Sequence, residues 1–296
     1  MTTTDPLPGL PRWGRCAVMG VVNVTPDSFS DGGLWLDPGR AVAHGLELVA
    51  DGADMVDVGG ESTRPGAERV TCEEELRRVL PVVRGLVEGG AVVSVDTMRA
   101  EVAEAAVDLG ARIINDVSGG RADPAMAKVA ARTGAAFVVM HWRGQSDRMA
   151  GLAEYGDVVA DVVREVEQQV DVVVSAGVDL SQIVVDPGLG FAKTGAHNWS
   201  LLAGIDAWTR LGRPVLIAAS RKRFLGSLLA DPVTGTPRPP LDRDPATAAV
   251  SVLAASQGAW AVRVHEVSST ADAVRVEAAV RGAVGRPTVT EGHRPG

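Results

Sequence analysis

The chain has 296 residues, 46% of them hydrophobic and 22% charged, which is ample apolar material for one large core. Its net charge of −8 disfavours nucleic acid as a partner. No apolar run approaches the roughly 20 residues that a membrane span requires. Cys16 and Cys72 stand in unrelated contexts without metal-ligand spacing, and Met1–Arg15 shows no signal pattern, so a soluble cytoplasmic chain without a structural disulfide is expected.

Eight short apolar runs predict strands at Ala17–Val22, Asp54–Val58, Val92–Val95, Arg112–Ile114, Ala136–Met140, Gln182–Val185, Val215–Ala219 and Trp260–Val264. They are continuously apolar rather than alternating, which indicates burial on both faces and parallel pairing. Helical patterns separate them. Thr71 and Glu74 form a capping box for a helix with Leu76, Val79, Leu80, Val83 and Leu86 on one face. Glu73–Arg77 and Glu74–Arg78 are its i,i+4 pairs, and Pro81 is a candidate kink. Val158–Ala176 is crowded with strand-forming valine. Its charges Asp161, Arg164, Glu165 and Glu167 nevertheless recur at helical spacing ahead of a capping Gly177, so a helix is expected.

Eight strand–helix units predict an α/β fold, a single-domain (β/α)8 TIM barrel over residues 15–285, with a doubly wound open sheet as the alternative. Met1–Gly14 and Arg286–Gly296 read as frayed tails, and the Pro-rich Asp231–Asp244 as a mobile insertion before a helix starting near Pro245.

Parallel α/β folds bind ligands at the carboxyl ends of their strands. The residues at those ends are Asn23; Glu61, Thr63 and Arg64; Asp96; Asn115 and Asp116; His141; Asp186 and Lys193; Ser220, Arg221 and Lys222; Arg263 and His265. Each alone has an ordinary structural explanation as a cap or a solvated charge. Convergence on one mouth is what carries a functional reading. Asp96, Asn115, Asp186 and Lys222 suit the edge of a heterocycle bearing several N–H groups and a carbonyl, because a carboxylate accepts two parallel N–H bonds. Asn23, Arg64, Arg263 and His265 suit an anion such as a diphosphate. The Asn23 amide oxygen suits a hard cation such as Mg²⁺, which takes few protein ligands beside substrate phosphates. Asp57 reads equally well as a buried structural carboxylate or as part of the site, and Glu61 as loop structure. Gly188–Thr194 lacks the spacing of a nucleoside triphosphate loop.

Seven motifs in order carry a specific resemblance. They are V-M-G-V-V-N-V-T-P-D-S-F-S-D-G-G at Val18–Gly33, D-V-G-G-E-S-T-R-P-G-A at Asp57–Ala67, S-V-D-T at Ser94–Thr97, I-N-D-V at Ile114–Val117, D-P-G-L-G-F-A-K-T at Asp186–Thr194, S-R-K at Ser220–Lys222 and R-V-H at Arg263–His265. Over roughly residues 17–280 the chain resembles the dihydropteroate synthases. The resemblance implies a dimeric TIM-barrel transferase of folate synthesis, a sulfonamide target, that joins a hydroxymethyl-dihydropterin diphosphate to 4-aminobenzoate with Mg²⁺.

The resemblance also implies roles. Asp96, Asn115, Met140, Asp186 and Lys222 hold the pterin; Asn23 carries the Mg²⁺–diphosphate contact, with Arg64, Arg263 and His265 on the same anion. Thr63, Arg64, Pro65, Phe191 and Ser220, with Lys222, form the 4-aminobenzoate pocket, and the first two loops close over the substrates. Leu189, Ala192, Arg223, Phe224 and Glu266 depart from the common pattern without removing a polar partner. Three other functions stay in view: a methyltetrahydrofolate methyltransferase, a non-catalytic pterin-binding paralogue, and a Schiff-base aldolase using Lys222 or Lys193. The first has no use for an anion group, the second would be expected to lose the second loop or the S-R-K, and the third is separated by borohydride trapping.

Overall fold

A computed structural model describes residues 7–25, 37–62, 69–144 and 149–284. Within them lie strands β1 (Ala17–Asn23), β2 (Met55–Gly59), β3 (Val93–Asp96), β4 (Ile113–Asp116), β5 (Ala136–Met140), β6 (Ile183–Asp186), β7 (Leu216–Ile217) and β8 (Ala261–Val264). All pairings are parallel, in the order β6-β5-β4-β3-β2-β1-β8-β7. The sheet closes through the bridge Val185–Val215, where Val185 N donates to Pro214 O at 2.9 Å. The closed (β/α)8 barrel therefore holds and the open sheet does not. Strand β7 is shorter than its apolar run because the chain leaves the ladder beyond Ile217 toward Ser220.

Alternation along each strand divides the apolar residues into two cores. Val18, Val56, Val95, Ile114, Phe137, Val139, Val185 and Val262 face outward into the layer shared with the helices. Ala17, Met19, Met55, Ile113, Ala136, Val138, Val184, Leu216 and Ala261 fill the barrel interior, with Leu7 and Leu10 added from the N-terminal segment. Trp13 and Trp260 meet beside this plug with ring centroids 6.1 Å apart. Each fully buried large side chain in these layers contributes about 1.5–3 kcal/mol.

Among the described residues ten helices surround the barrel: α1 (Pro38–Ala50), α2 (Cys72–Glu88), α3 (Ala100–Asp108), α4 (Met126–Thr133), α5 (Val158–Ser175), α6 (Gly195–Ala203), α7 (Ile205–Thr209), α8 (Arg223–Leu228), α9 (Asp244–Ser256) and α10 (Ser268–Val284). Helix α5 forms despite its valines, because Val162, Val166, Val170 and Val173 bury one stripe and Asp157 caps its first turn. Helix α2 starts on the Thr71 cap, whose hydroxyl accepts from Glu74 N, and runs through Pro81; the other half of the expected capping box does not form, because the Glu74 carboxylate turns to arginines. Of its two expected pairs, Glu74–Arg78 forms and Glu73–Arg77 does not. Glu74 takes both Arg77 and Arg78 at 2.7 Å, so Arg77 turns to Glu74 at i,i+3 instead of Glu73. The segment 231–244 is a tethered strap rather than a free insertion. Asp231 caps its own turn, Arg238 N donates to Gly226 O at 3.0 Å, and Arg243 is buried. The expected 1–14 tail is anchored from Leu7 onward by the interior plug. The expected tail 286–296 lies outside the described residues.

Candidate active site

The polar residues expected just beyond the strands are in part the last residues of the strands themselves. Asn23, Asp96, Asn115, Asp116, Asp186 and Arg263 all belong to the ladder. Register then decides what meets. Gly59 pairs with Asp96, Asp96 with Asn115, and Met140 with Asp186. Partners in register point the same way, so Asp96, Asn115, Met140 and Asp186 line one arc of the interior. They share a cavity of about 1010 Å³ with Asn23, Phe191, Ser220, Lys222, Arg263 and His265. Asp116 is one step out of phase and faces away. It accepts from Ser118 N, Ser118 Oγ and Gly120 N, and burial raises its pKa to about 6. Its place in the polar list is therefore structural.

Arg263 is the centre of the charged layer. Its Nε donates to Asp57 at 2.6 Å and its Nη2 to Asp96 at 2.8 Å, while Asn115 Nδ2 donates to the same Asp57 oxygen at 2.9 Å. Asp57 is fully buried beneath the cavity, so of its two readings the structural one holds: it orients Arg263 and Asn115. The expected division into acidic and cationic halves also changes, because Arg263 sits against the acidic half rather than apart from it. Burial, aided by Asp57, Glu75 and Asp116, pushes the Asp96 carboxyl well above the usual range, and Arg263 pulls it back. Burial raises Asp186 too, against the pull of Lys222 and the Gly188 N–H. Loss of hydration lowers Lys222 to about 8, with Asp186 resisting.

The loop Asp186–Thr194 is folded by its own residues. Gly188 N donates to Asp186 Oδ1 at 2.6 Å, and Gly190 N to Asn198 Oδ1 at 2.7 Å. Gly188 has φ +66°, and a Cβ there would lie 2.4 Å from His141 O, so no other residue fits. Ala192 also takes a positive φ of 48°. Lys222 Nζ bonds the Leu189 carbonyl and lies 4.9 Å from the Phe191 ring centroid. Ser220 Oγ and His265 Nδ1 are 2.9 Å apart, and His265 N donates to Ser220 Oγ at 3.1 Å, so the segments that follow β7 and β8 hold each other in place.

Three supports are not legible in the sequence. Arg221 has φ +57°, and its backbone is held on both sides: its N–H donates to Thr247 Oγ1 at 3.2 Å and its carbonyl accepts from Arg243 Nη1 at 2.7 Å. Its guanidinium pairs with Asp244 at 2.7 Å. That clamp sets Ser220 and Lys222 on either side. Glu61, expected to be plain loop structure, joins Arg69 at 2.9 Å and Arg99 at 2.8 Å and also lines the cavity. His141 is buried between Lys193 and Glu165. The expected residues Thr63, Arg64 and Pro65, and the first loop beyond Thr25, lie outside the described residues.

No group of three His, Cys, Asp or Glu able to hold a metal ion occurs among the described residues. Asn23 offers one amide oxygen at the cavity rim, near the Asp96 carboxylate: a Cβ at Gly59 would be 3.7 Å from each. One neutral oxygen beside a carboxylate fits a hard cation that takes most of its ligands from water and a phosphorylated substrate.

A parallel barrel with a deep polar cavity at the carboxyl ends of its strands defines a TIM-barrel enzyme that binds a polar small molecule. A family model described as "Pterin binding enzyme" matches residues 19–265. The chain is 57% identical over 260 residues to the dihydropteroate synthase of Mycobacterium leprae (strain TN), covering 88% of this chain and 91% of that one. Among solved structures it is similar to the Yersinia pestis dihydropteroate synthase in a sulfonamide drug complex, with TM-score 0.87, 38% identity and coverage of 94% and 99%. It is also similar to the Xanthomonas albilineans dihydropteroate synthase in complex with 7,8-dihydropteroate, with TM-score 0.79, 41% identity and coverage of 92% and 95%. The chain belongs to the dihydropteroate synthase family.

Proposed function

We propose that this chain condenses 6-hydroxymethyl-7,8-dihydropterin diphosphate with 4-aminobenzoate, giving 7,8-dihydropteroate and diphosphate. The observation that carries this is the meeting of Asp96, Asn115, Asp186 and Lys222 with Asn23, Arg263, Ser220 and His265 around one cavity. The first four bind and orient the ring: Asp186 and Asp96 accept its N–H groups, Asn115 both donates and accepts, and Lys222 donates to its carbonyl. Met140 packs on the ring between them. Arg263 and His265, with Arg64, bind the diphosphate, and Ser220, Thr63, Pro65 and Phe191 receive the benzoate.

The C–O bond from the methylene to diphosphate breaks with its electron pair leaving on oxygen. The amine nitrogen then forms the new C–N bond and loses a proton to solvent. Bond breaking runs ahead of attack, because the arylamine is a weak nucleophile and the site is rich in anion partners. The carboxylates beneath the ring favour the cationic methylene. Mg²⁺ held by the Asn23 oxygen and the diphosphate would neutralise charge on the leaving group. Positional isotope exchange tests the order of steps: an absence of scrambling without 4-aminobenzoate contradicts it.

A diphosphate-release assay, run with and without 4-aminobenzoate and Mg²⁺, tests the function. Release that requires all components is expected; release indifferent to the amine sinks the assignment. We place the enzyme in the cytoplasm as a homodimer. Free thiols at Cys16 and Cys72 and the lack, among the described residues, of a helix able to cross a membrane support the compartment. Exposed Leu253 on α9 and Val276 and Val280 on α10 support the dimer. A monomer in sedimentation equilibrium counts against it.

A further inference from the structure

We propose that Lys193 is a positioning residue for the aryl side of the cavity, holding Phe191 in place and being held in turn by His141 and Glu165. The inference rests on the reaction proposed above. Its Nζ donates to the Phe191 carbonyl at 3.0 Å and lies 2.9 Å from His141 Nδ1. His141 directly follows β5, and its N–H donates to the Asp186 carbonyl at 2.9 Å. On the other side of the ring, Nε2 lies 2.9 Å from Glu165 on α5. One proton assignment satisfies every member: an ammonium donates to Nδ1, and Nε2–H donates to the carboxylate.

A second support comes from Tyr155, whose hydroxyl donates to the Ala192 carbonyl at 3.0 Å. Its ring lies 3.9 Å from the Arg143 guanidinium, which pairs with the same Glu165. Two successive loop carbonyls, Phe191 and Ala192, are thus each gripped by a side chain tied to Glu165.

Phe191 needs such anchoring. Gly188, Gly190 and Ala192 all have positive φ, so no regular ladder holds the loop. Phe191 is outside both apolar cores, whereas Phe224, the other phenylalanine of the cavity wall, is buried edge-on against Trp199. Phe191 is therefore the ring surface that an arylamine can meet, and its position comes from the backbone beneath it. Burial lowers Lys193 to about 7, with Asp186 and Glu165 resisting and Lys222 and Arg143 adding to the fall. Burial and the Lys193 charge lower His141 to about 3, so the ring is neutral, as the assignment above requires.

Steady-state kinetics of Lys193→Met test this against wild type. KM for 4-aminobenzoate is expected to rise about tenfold, with kcat and calorimetric pterin affinity kept within about twofold. Lys193→Arg should restore most of the loss. Glu165→Gln, one step further out, should raise the same KM by about threefold, and it decides the matter if Lys193→Met does not fold. An unchanged KM, or equal losses in pterin affinity and in KM, overturns the proposal. Wild-type protein that releases no diphosphate would instead remove the reaction on which the proposal rests.

Discussion

The two ends of the barrel interior are made from the same eight strands and have opposite chemistry. At the amino ends Ala17, Met19, Met55, Ile113, Ala136 and Ala261 pack into an apolar plug with Leu7 and Leu10. At the carboxyl ends the inward positions become Asn23, Asp96, Asn115, Asp186 and Arg263. Two residues along a strand are enough for the change: Met55 is followed at the next inward position by Asp57, Ile113 by Asn115, and Val184 by Asp186. The apolar end gives stability and the polar end gives chemistry. Substitutions at the apolar end should therefore cost stability and spare the chemistry, whereas those at the polar end should reach the chemistry.

The largest effect is expected at Arg263→Ala, which strands Asp57 and Asp96 without their partner. Leaving buried carboxylates uncompensated costs about 3–5 kcal/mol, and because Arg263 also faces the ligand, turnover should be lost with stability. Denaturant melts with unchanged stability would contradict the central role of that ion pair. Met55→Ala, at the apolar end, should cost about 2–5 kcal/mol through its cavity while leaving both KM values near wild type. A selective change in KM there would break the separation.

The pH profile of kcat/KM for the pterin substrate should show two limbs. Asp96 must be ionised to accept N–H groups, so activity rises with pH, and burial places that rise above the ordinary carboxylate range. Lys222 must be protonated to donate, so activity falls above about 8. A flat profile from pH 5 to pH 10 would deny both roles. The smallest effect belongs to Ala192→Gly. Relief of a left-handed alanine, less the added freedom of the unfolded chain, should raise stability by about 0.5–1 kcal/mol. A lower melting temperature would show that the methyl packs usefully.

The barrel and most of its rim were legible because strand count, apolar continuity and polar strand ends are local signals. Asn115 and Asp186 could be picked out as soon as their strands were. Strands β3 and β6 run one residue past their apolar runs because an inward-facing Asp, Asp96 or Asp186, ends the run without ending the ladder. Partnerships across the barrel left no local trace. Arg263 reaches Asp57 across 206 positions of sequence, so its move into the acidic half needed three dimensions. The positive φ of Arg221 and its clamp by Arg243 and Thr247 were equally hidden, since no glycine marks the turn. Glu61 looked like loop because its partners Arg69 and Arg99 lie beyond it in the chain.

Calorimetric titration of a dihydropterin lacking the diphosphate, into wild type, Asp186→Asn and His265→Ala, tests most directly that one rim grips ring and leaving group separately. Asp186→Asn should lose at least about tenfold in affinity, because one ring-edge acceptor becomes partly a donor, while His265→Ala binds like wild type. Equal affinity for Asp186→Asn and wild type would contradict the assignment of the ring to the acidic arc.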